Sequence, residues 1–144
     1  MPEARKQPAI RQAVRERAAG HCEYCLSPDD CSPAPFNVEH IVPTGRGGSD
    51  TLESLAWSCG GCNGSKGVAI AGVDPVTGEF APLFHPRKDL WEEHFNWGDD
   101  PLVLVGKSAT GRATIARLHL NRPELLLLRR LLTLAERHPP DRAV

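Results

Sequence analysis

Two Cys-x-x-Cys pairs, Cys22/Cys25 in HCEYC (21–25) and Cys59/Cys62 in LESLAWSCGGCNGSK (52–66), bracket a Glu39-His40 pair in FNVEHIVPTGRGGSD (36–50). Four thiols at that spacing suit one tetrahedral metal, zinc above all. The long insert between the pairs costs little, because loop-closure entropy grows slowly with length. The competing reading takes the same cysteines as small buried hydrophobes. Four thiolates close the coordination shell of a zinc ion, so such an ion is structural and any chemistry lies in what it holds in place. Two pieces stand out: Glu39-His40, and Asn63 directly after the last cysteine. An imidazole titrates near working pH and can take a proton from water. A carboxylate and a carboxamide can hold one hard divalent ion such as magnesium or manganese.

Taken together, the segment resembles the HNH endonuclease family, in the subgroup whose ββα-metal core is stapled by four cysteines. The family pattern has a carboxylate-His pair, a Pro, a Gly-Gly turn, an Asn-Leu, and then Cys-x-x-Cys-His/Asn-x-x-Lys. This chain shows Glu39-His40, Pro43, Gly47-Gly48, Ser54-Leu55, Cys59, Cys62, Asn63 and Lys66. Residues 70–138 also resemble a tail found in small bacterial HNH proteins. The resemblance implies metal-dependent hydrolysis of DNA phosphodiester bonds. His40 would be the general base, Glu39 and Asn63 the ligands of the catalytic Mg2+ or Mn2+, and Cys22, Cys25, Cys59 and Cys62 the ligands of a structural Zn2+. Two departures stand out: Glu39 where Asp is common, and Ser54 where Asn is usual. The family Asn is expected to orient the catalytic loop, and a serine hydroxyl has a shorter reach. The alternative function is a non-catalytic zinc-binding module that binds nucleic acid or a protein partner.

The 144 residues suit one modest domain, and their moderate apolar content suits a soluble globular protein. No apolar run approaches a membrane span, and the basic N-terminus lacks a signal-peptide core. Knuckle-spaced thiols with an odd fifth, Cys31, argue against a disulfide framework and for a reducing cytoplasm. A formal net charge of −1 neither points to nucleic acid nor excludes it, since binding needs only a local basic patch.

The expected fold is α+β: a small ββα-metal (His-Me finger) core wrapped by an N-terminal helix and C-terminal helices. The core with its first helix spans 9–67, a hairpin plus helical extension 68–138, and a loose tail 139–144. Ala9 to Ala19 reads as a helix stopped by Gly20. Its Arg5, Lys6, Arg11, Arg15 and Arg17 form either a solvated face or a row of phosphate contacts. Phe36 to Val42 alternates as a strand, which puts Glu39 and His40 on opposite faces unless it bends near Pro43. Leu55 to Ser58 is the second strand, and a short helix from near Cys62 carries Asn63 and Lys66 to Gly67.

Beyond the core, Asp74-Pro75-Val76-Thr77-Gly78 signals a hairpin turn. Leu90, Trp91, His94 and Phe95 share a helical face, Leu102 to Val105 reads as a strand, and Thr110 caps a helix running to Leu120. Asn121 caps a last helix whose stripe is Leu125, Leu128, Leu131, Leu132 and Ala135. That stripe serves the core or a homodimer. Candidate nucleic-acid contacts are Arg15, Arg46, Lys66 and Arg87, with Lys66 alternatively offsetting thiolate charge. His94 is either a further metal ligand or part of an aromatic core corner. The chain shows no base-reading motif, so the expected partner is duplex DNA with weak sequence preference.

Overall fold

A computed structural model describes Arg5 and residues 7–141; Lys6 of the basic stretch and the end of the tail, 142–144, lie outside the described residues. The first helix, α1, spans Pro8–Arg17, with proline in its first turn, where no backbone donor is lost. Val14 buries its inward face completely. The arginines of α1 bond the protein itself. Arg11 donates to the Phe36 carbonyl at 3.0 Å and lies over the Trp57 ring, 5.0 Å from its centroid. Arg17 donates to the carbonyls of Leu52 and Leu55, and Arg15 forks onto Asp29 at 2.7 and 3.1 Å. These guanidinium groups strap α1 across the hairpin that follows.

That hairpin pairs β1 (Asn37–His40) with β2 (Leu55–Ser58), antiparallel, with Glu39 opposite Ala56 and His40 opposite Leu55. All four residues of β2 are buried, because the strand is covered on both faces. The connection holds a 3-10 turn at Thr44–Arg46 and another at Leu52–Ser54. Its tight bend depends on the Gly47-Gly48 pair. Gly47 sits at φ 91, and a Cβ on Gly48 would collide with the Val42 carbonyl oxygen. Helix α2 (Gly60–Lys66) follows β2 at once, with Cys59 as its N-cap, and completes a ββα unit.

The extension opens with the expected hairpin, β3 (Ala71–Val73) against β4 (Phe80–Pro82). Its turn is held by buried Asp74, which accepts from the Val76 amide and the Thr77 hydroxyl, and bidentately from Arg112 at 2.9 and 2.8 Å. The anticipated helical face around Leu90 to Phe95 divides in two. A single turn, α3 (Trp91–His94), gives way to β5 (Phe95–Trp97), which pairs with β6 (Leu104–Gly106). Pairing with β6 outweighs the local helical spacing, and it buries Phe95 against Trp91 and Phe84.

Helix α4 (Ala109–Leu118) is capped by Ser108 rather than Thr110: the Ser108 hydroxyl accepts from the Gly111 amide at 3.0 Å. Helix α5 (Pro123–Leu134) begins at Arg122 rather than on an Asn121 cap. The Asn121 carboxamide instead bonds both the N–H and the C=O of Leu104, at 2.8 Å each, and so pairs like a short piece of strand. The stripe of α5 is also shifted. Leu125 and Leu132 are buried, and between them lies a buried Arg129 that donates to the carbonyls of Leu102 and Leu120. Leu131 and Ala135, expected to face inward, are exposed, as are Leu127 and Leu134.

The architecture is thus mixed α+β: short antiparallel strand pairs and five α-helices among the described residues. One apolar cluster runs from Val14 through Tyr24, Leu55 and Trp57 to Phe84, Phe95, Leu118 and Leu125, so the extension packs directly behind the ββα unit. No helix of the described residues is long and apolar enough to cross a membrane.

Candidate functional site

Cys22, Cys25, Cys59 and Cys62 bring their sulfurs within 4.8 Å of one another, positioned to hold one metal ion. Each pair is a knuckle in which a backbone N–H points at sulfur. Cys25 N–H donates to Cys22 Sγ at 3.5 Å, and Cys62 N–H to Cys59 Sγ at 3.4 Å. A tetrahedral ion with metal–sulfur bonds of about 2.3 Å needs sulfur–sulfur edges of about 3.8 Å. Cys25 and Cys59 sit 3.7 Å apart, which fits. The cluster is buried save for part of Cys59, so its thiolate charge needs compensation from protein as well as metal.

Arg122 supplies that compensation from the start of α5. Its guanidinium lies 3.6 Å from Cys59 Sγ and 3.7 Å from Cys62 Sγ. The neighbouring thiolates hold this guanidinium above its ordinary pKa despite the opposing effect of burial. Glycine at 61 leaves it room: a Cβ there would stand 2.6 Å from Arg122 Nη2, and the guanidinium would have to shift. Among the described residues the cluster is made of cysteines alone. His21 hydrogen-bonds the Ala19 carbonyl, and Cys31 lies exposed beside Arg137.

The first knuckle is also bolted to β2. The Glu23 amide donates to the Trp57 carbonyl, and the Glu23 carboxylate accepts from the Trp57 amide at 2.8 Å. Arg87 closes on the same Glu23 as an ion pair, so it is a structural partner and not the free phosphate contact expected. Arg15, paired with Asp29, is likewise occupied. Arg46 alone of the expected contacts stands exposed and without an ion-pair partner among the described residues, on the loop after β1.

His40 closes β1, with its side chain only 12% exposed. Its Nε2 lies 2.6 Å from Asp50 Oδ1, a partner sequence reading did not single out. An acid ten residues after the histidine, behind a Gly-Gly turn, was the available signal. The loop carrying Asp50 is pinned by hydroxyls: Ser49 Oγ bonds both Thr51 Oγ1 and Ser54 Oγ at 2.8 Å. Ser54 also accepts the Ile41 amide on its carbonyl at 2.9 Å. It therefore ties the residue after His40 to the residue before Asp50, the kind of loop support assigned to the family's Asn.

Glu39 is turned away from this loop. One carboxylate oxygen meets the Tyr24 hydroxyl, and the other meets Lys66 Nζ at 3.3 Å. Lys66 Nζ also donates to the Ile41 carbonyl at 2.8 Å. Glu39 is 3% exposed and Lys66 1%. Lys66 is therefore not a nucleic-acid contact, and Glu39 does not present an open carboxylate to an ion. Burial pushes the Glu39 carboxyl up, and Lys66 and Tyr24 pull it back down. Tyr24, buried within the first knuckle, is a polar link from knuckle to strand. Asn63 lies half-exposed on α2, its carboxamide free of hydrogen bonds among the described residues. His94 bonds the Ser108 hydroxyl at 2.6 Å and meets Phe84 edge-on, 6.0 Å between centroids, as part of the aromatic corner and not of the metal cluster.

A ββα unit with four cysteines positioned to hold one metal ion, and a histidine at the end of its first strand, is consistent with the zinc-stapled ββα-metal core expected from the sequence. Residues 22–68 match the family model described as HNH endonuclease. Over 136 residues the chain is 30% identical to the Septu protein PtuB of Bacillus thuringiensis, an alignment covering 88% of this chain and 46% of that protein. The chain thus spans about half the length of this relative. No solved structure matches it.

Proposed function

We propose that this chain is a metal-dependent endonuclease that hydrolyses DNA phosphodiester bonds, with zinc in the four-cysteine site as a purely structural ion. The observation that carries the reading is the His40–Asp50 pair at 2.6 Å, within the HNH-matching segment. An ionised carboxylate can only accept, so Nε2 of a neutral His40 carries the ring proton and Nδ1 keeps its lone pair. That nitrogen takes the proton from water. General-base help of this kind accounts for roughly a hundred- to ten-thousand-fold in rate. Asp50 fixes the ring and stabilises the imidazolium that forms.

Arg46, exposed on the same loop, offers charge to a phosphate. Magnesium or manganese would supply charge neutralisation at the phosphate when bound. Of the pair expected to hold it, Asn63 alone has a free oxygen donor. The partner is duplex DNA with weak sequence preference, and cysteines held as thiolates suit a reducing cytoplasm. Leu127, Leu131 and Leu134, exposed on α5, are the surface a homodimer would use, and dimerisation would let two sites cut both strands.

The test is plasmid nicking by the zinc-loaded protein with magnesium or manganese, wild type beside His40→Ala. Nicking by the wild type and its loss in the variant, with zinc content unchanged, supports the reading. Equal cutting by the two proteins sinks it. A wild type that binds duplex without cutting replaces it with the non-catalytic zinc module.

A further inference from the structure

We infer that Lys66 is a resident cation that takes the place of a divalent ion at Glu39, so that Glu39 serves as a strut and not as a metal ligand. A hard ion gathers carboxylate and carbonyl oxygens around itself. The Lys66 ammonium has already gathered them: Glu39 Oε2 at 3.3 Å and the Ile41 carbonyl at 2.8 Å. The remaining Glu39 oxygen is taken by the Tyr24 hydroxyl. At 3% and 1% exposure, carboxylate and ammonium are shut off from the bulk water that a magnesium or manganese ion draws on to fill its shell. Adding a dication beside a buried ammonium would also set two like charges in a medium of low dielectric.

What the arrangement does instead is mechanical. Tyr24 lies between the two cysteines of the first knuckle, Glu39 lies on β1 immediately before His40, and Lys66 closes α2 after the second knuckle. The Tyr24–Glu39–Lys66 chain therefore fastens the metal-holding segments to the strand that aims the histidine. Glu39 is a positioning residue acting through His40.

The experiment measures manganese binding to the zinc-loaded protein by electron paramagnetic resonance, in wild type, Glu39→Gln, Lys66→Ala and the double variant. Glu39→Gln should leave the manganese affinity of the wild type within about twofold. Lys66→Ala should gain one manganese site, absent from Lys66→Arg and lost again in the double variant. A drop of about tenfold or more in Glu39→Gln, the range expected for losing a metal-site group, overturns the inference. So does a folded Lys66→Ala that gains nothing. Should Lys66→Ala fail to fold, the Glu39→Gln comparison decides alone. In nicking, Glu39→Gln should lower kcat while leaving both KM and the half-saturating manganese concentration in place; a rise in the latter counts against the strut. Ion binding is read without cutting, so a protein that never nicks would count against the nuclease reading and leave the Lys66 result intact.

Discussion

His40 and Asp50 form a pair that joins strand to loop: Nε2 to Oδ1 is 2.6 Å, with the acid 58% exposed and the imidazole mostly covered. The asymmetry matters. The histidine is held by the protein around it, whereas Asp50 can be changed with little effect on packing. Asp50→Asn should therefore leave the melting temperature within about 1–2 °C, as for an ordinary surface substitution. It should lower kcat for nicking by about ten- to a thousandfold, because the amide no longer favours the tautomer with a free Nδ1. Plasmid nicking alongside a thermal melt separates the two effects, and unchanged kcat would remove Asp50 from the mechanism.

Ser54 is the second handle on the same loop. Removing its hydroxyl breaks the bond to Ser49, next to Asp50, at a cost of about 1 kcal/mol. Ser54→Ala should loosen the loop and lower kcat several-fold, with zinc content unaffected. Hydrogen exchange of the 49–51 amides should rise in step; exchange that stays put would mean the hydroxyl bridge is incidental.

The thiolate cluster and Arg122 should stand or fall together. Arg122→Met leaves the buried sulfurs with less positive charge, so zinc should leave faster to a colorimetric chelator. Gly61→Ala should do the same, because its methyl forces the guanidinium away from the 3.6 Å contact with Cys59. Loss of either knuckle, as in Cys59→Ser, should cost far more, since metal binding at such sites is folding free energy. Zinc-release rates ordered wild type, then Gly61→Ala and Arg122→Met, then Cys59→Ser would match; equal rates for the first three would not.

Asp74 makes stability depend on acid. The Arg112 guanidinium, with hydrogen bonds from Val76 and Thr77, holds its carboxyl well below the ordinary aspartate range of about 4. A carboxyl depressed in the folded state stabilises the fold above the ordinary value and loses that contribution as pH falls through the folded one. Asp74→Asn should therefore melt clearly below wild type at pH 7, and the gap should narrow steadily below about pH 4. A gap that is flat across that range would show that the ion pair is not its source.

The zinc knuckles, the β1–β2 hairpin and α2 were legible in the sequence because each rests on local chemistry. Cys-x-x-Cys spacing, alternation about His40 and glycines at tight bends all act within a few residues. Leu55–Ser58 emerges with the expected bounds. What resisted reading was decided by residues far apart in the chain. Arg122 reaches back sixty residues to Cys62, Arg112 reaches Asp74, and Lys66 finds Glu39 only once α2 lies against β1. Spacing cannot tell a cation that meets solvent from one that meets a buried partner, and so Lys66 and Arg87 looked like phosphate contacts. Caps failed for a related reason: Asn121 has good cap chemistry, but Leu104 offers both its backbone groups and wins.

Because the guanidinium that lies against Cys59 and Cys62 belongs to the far end of the chain, the metal-holding motif is not a self-sufficient module. A fragment stopped at residue 68 would keep all four thiols yet leave one side of the sulfur cage open to water and oxidants. The last helix is in this sense a stopper on the thiolate cage, and anything that lifts it would open the sulfurs to solvent.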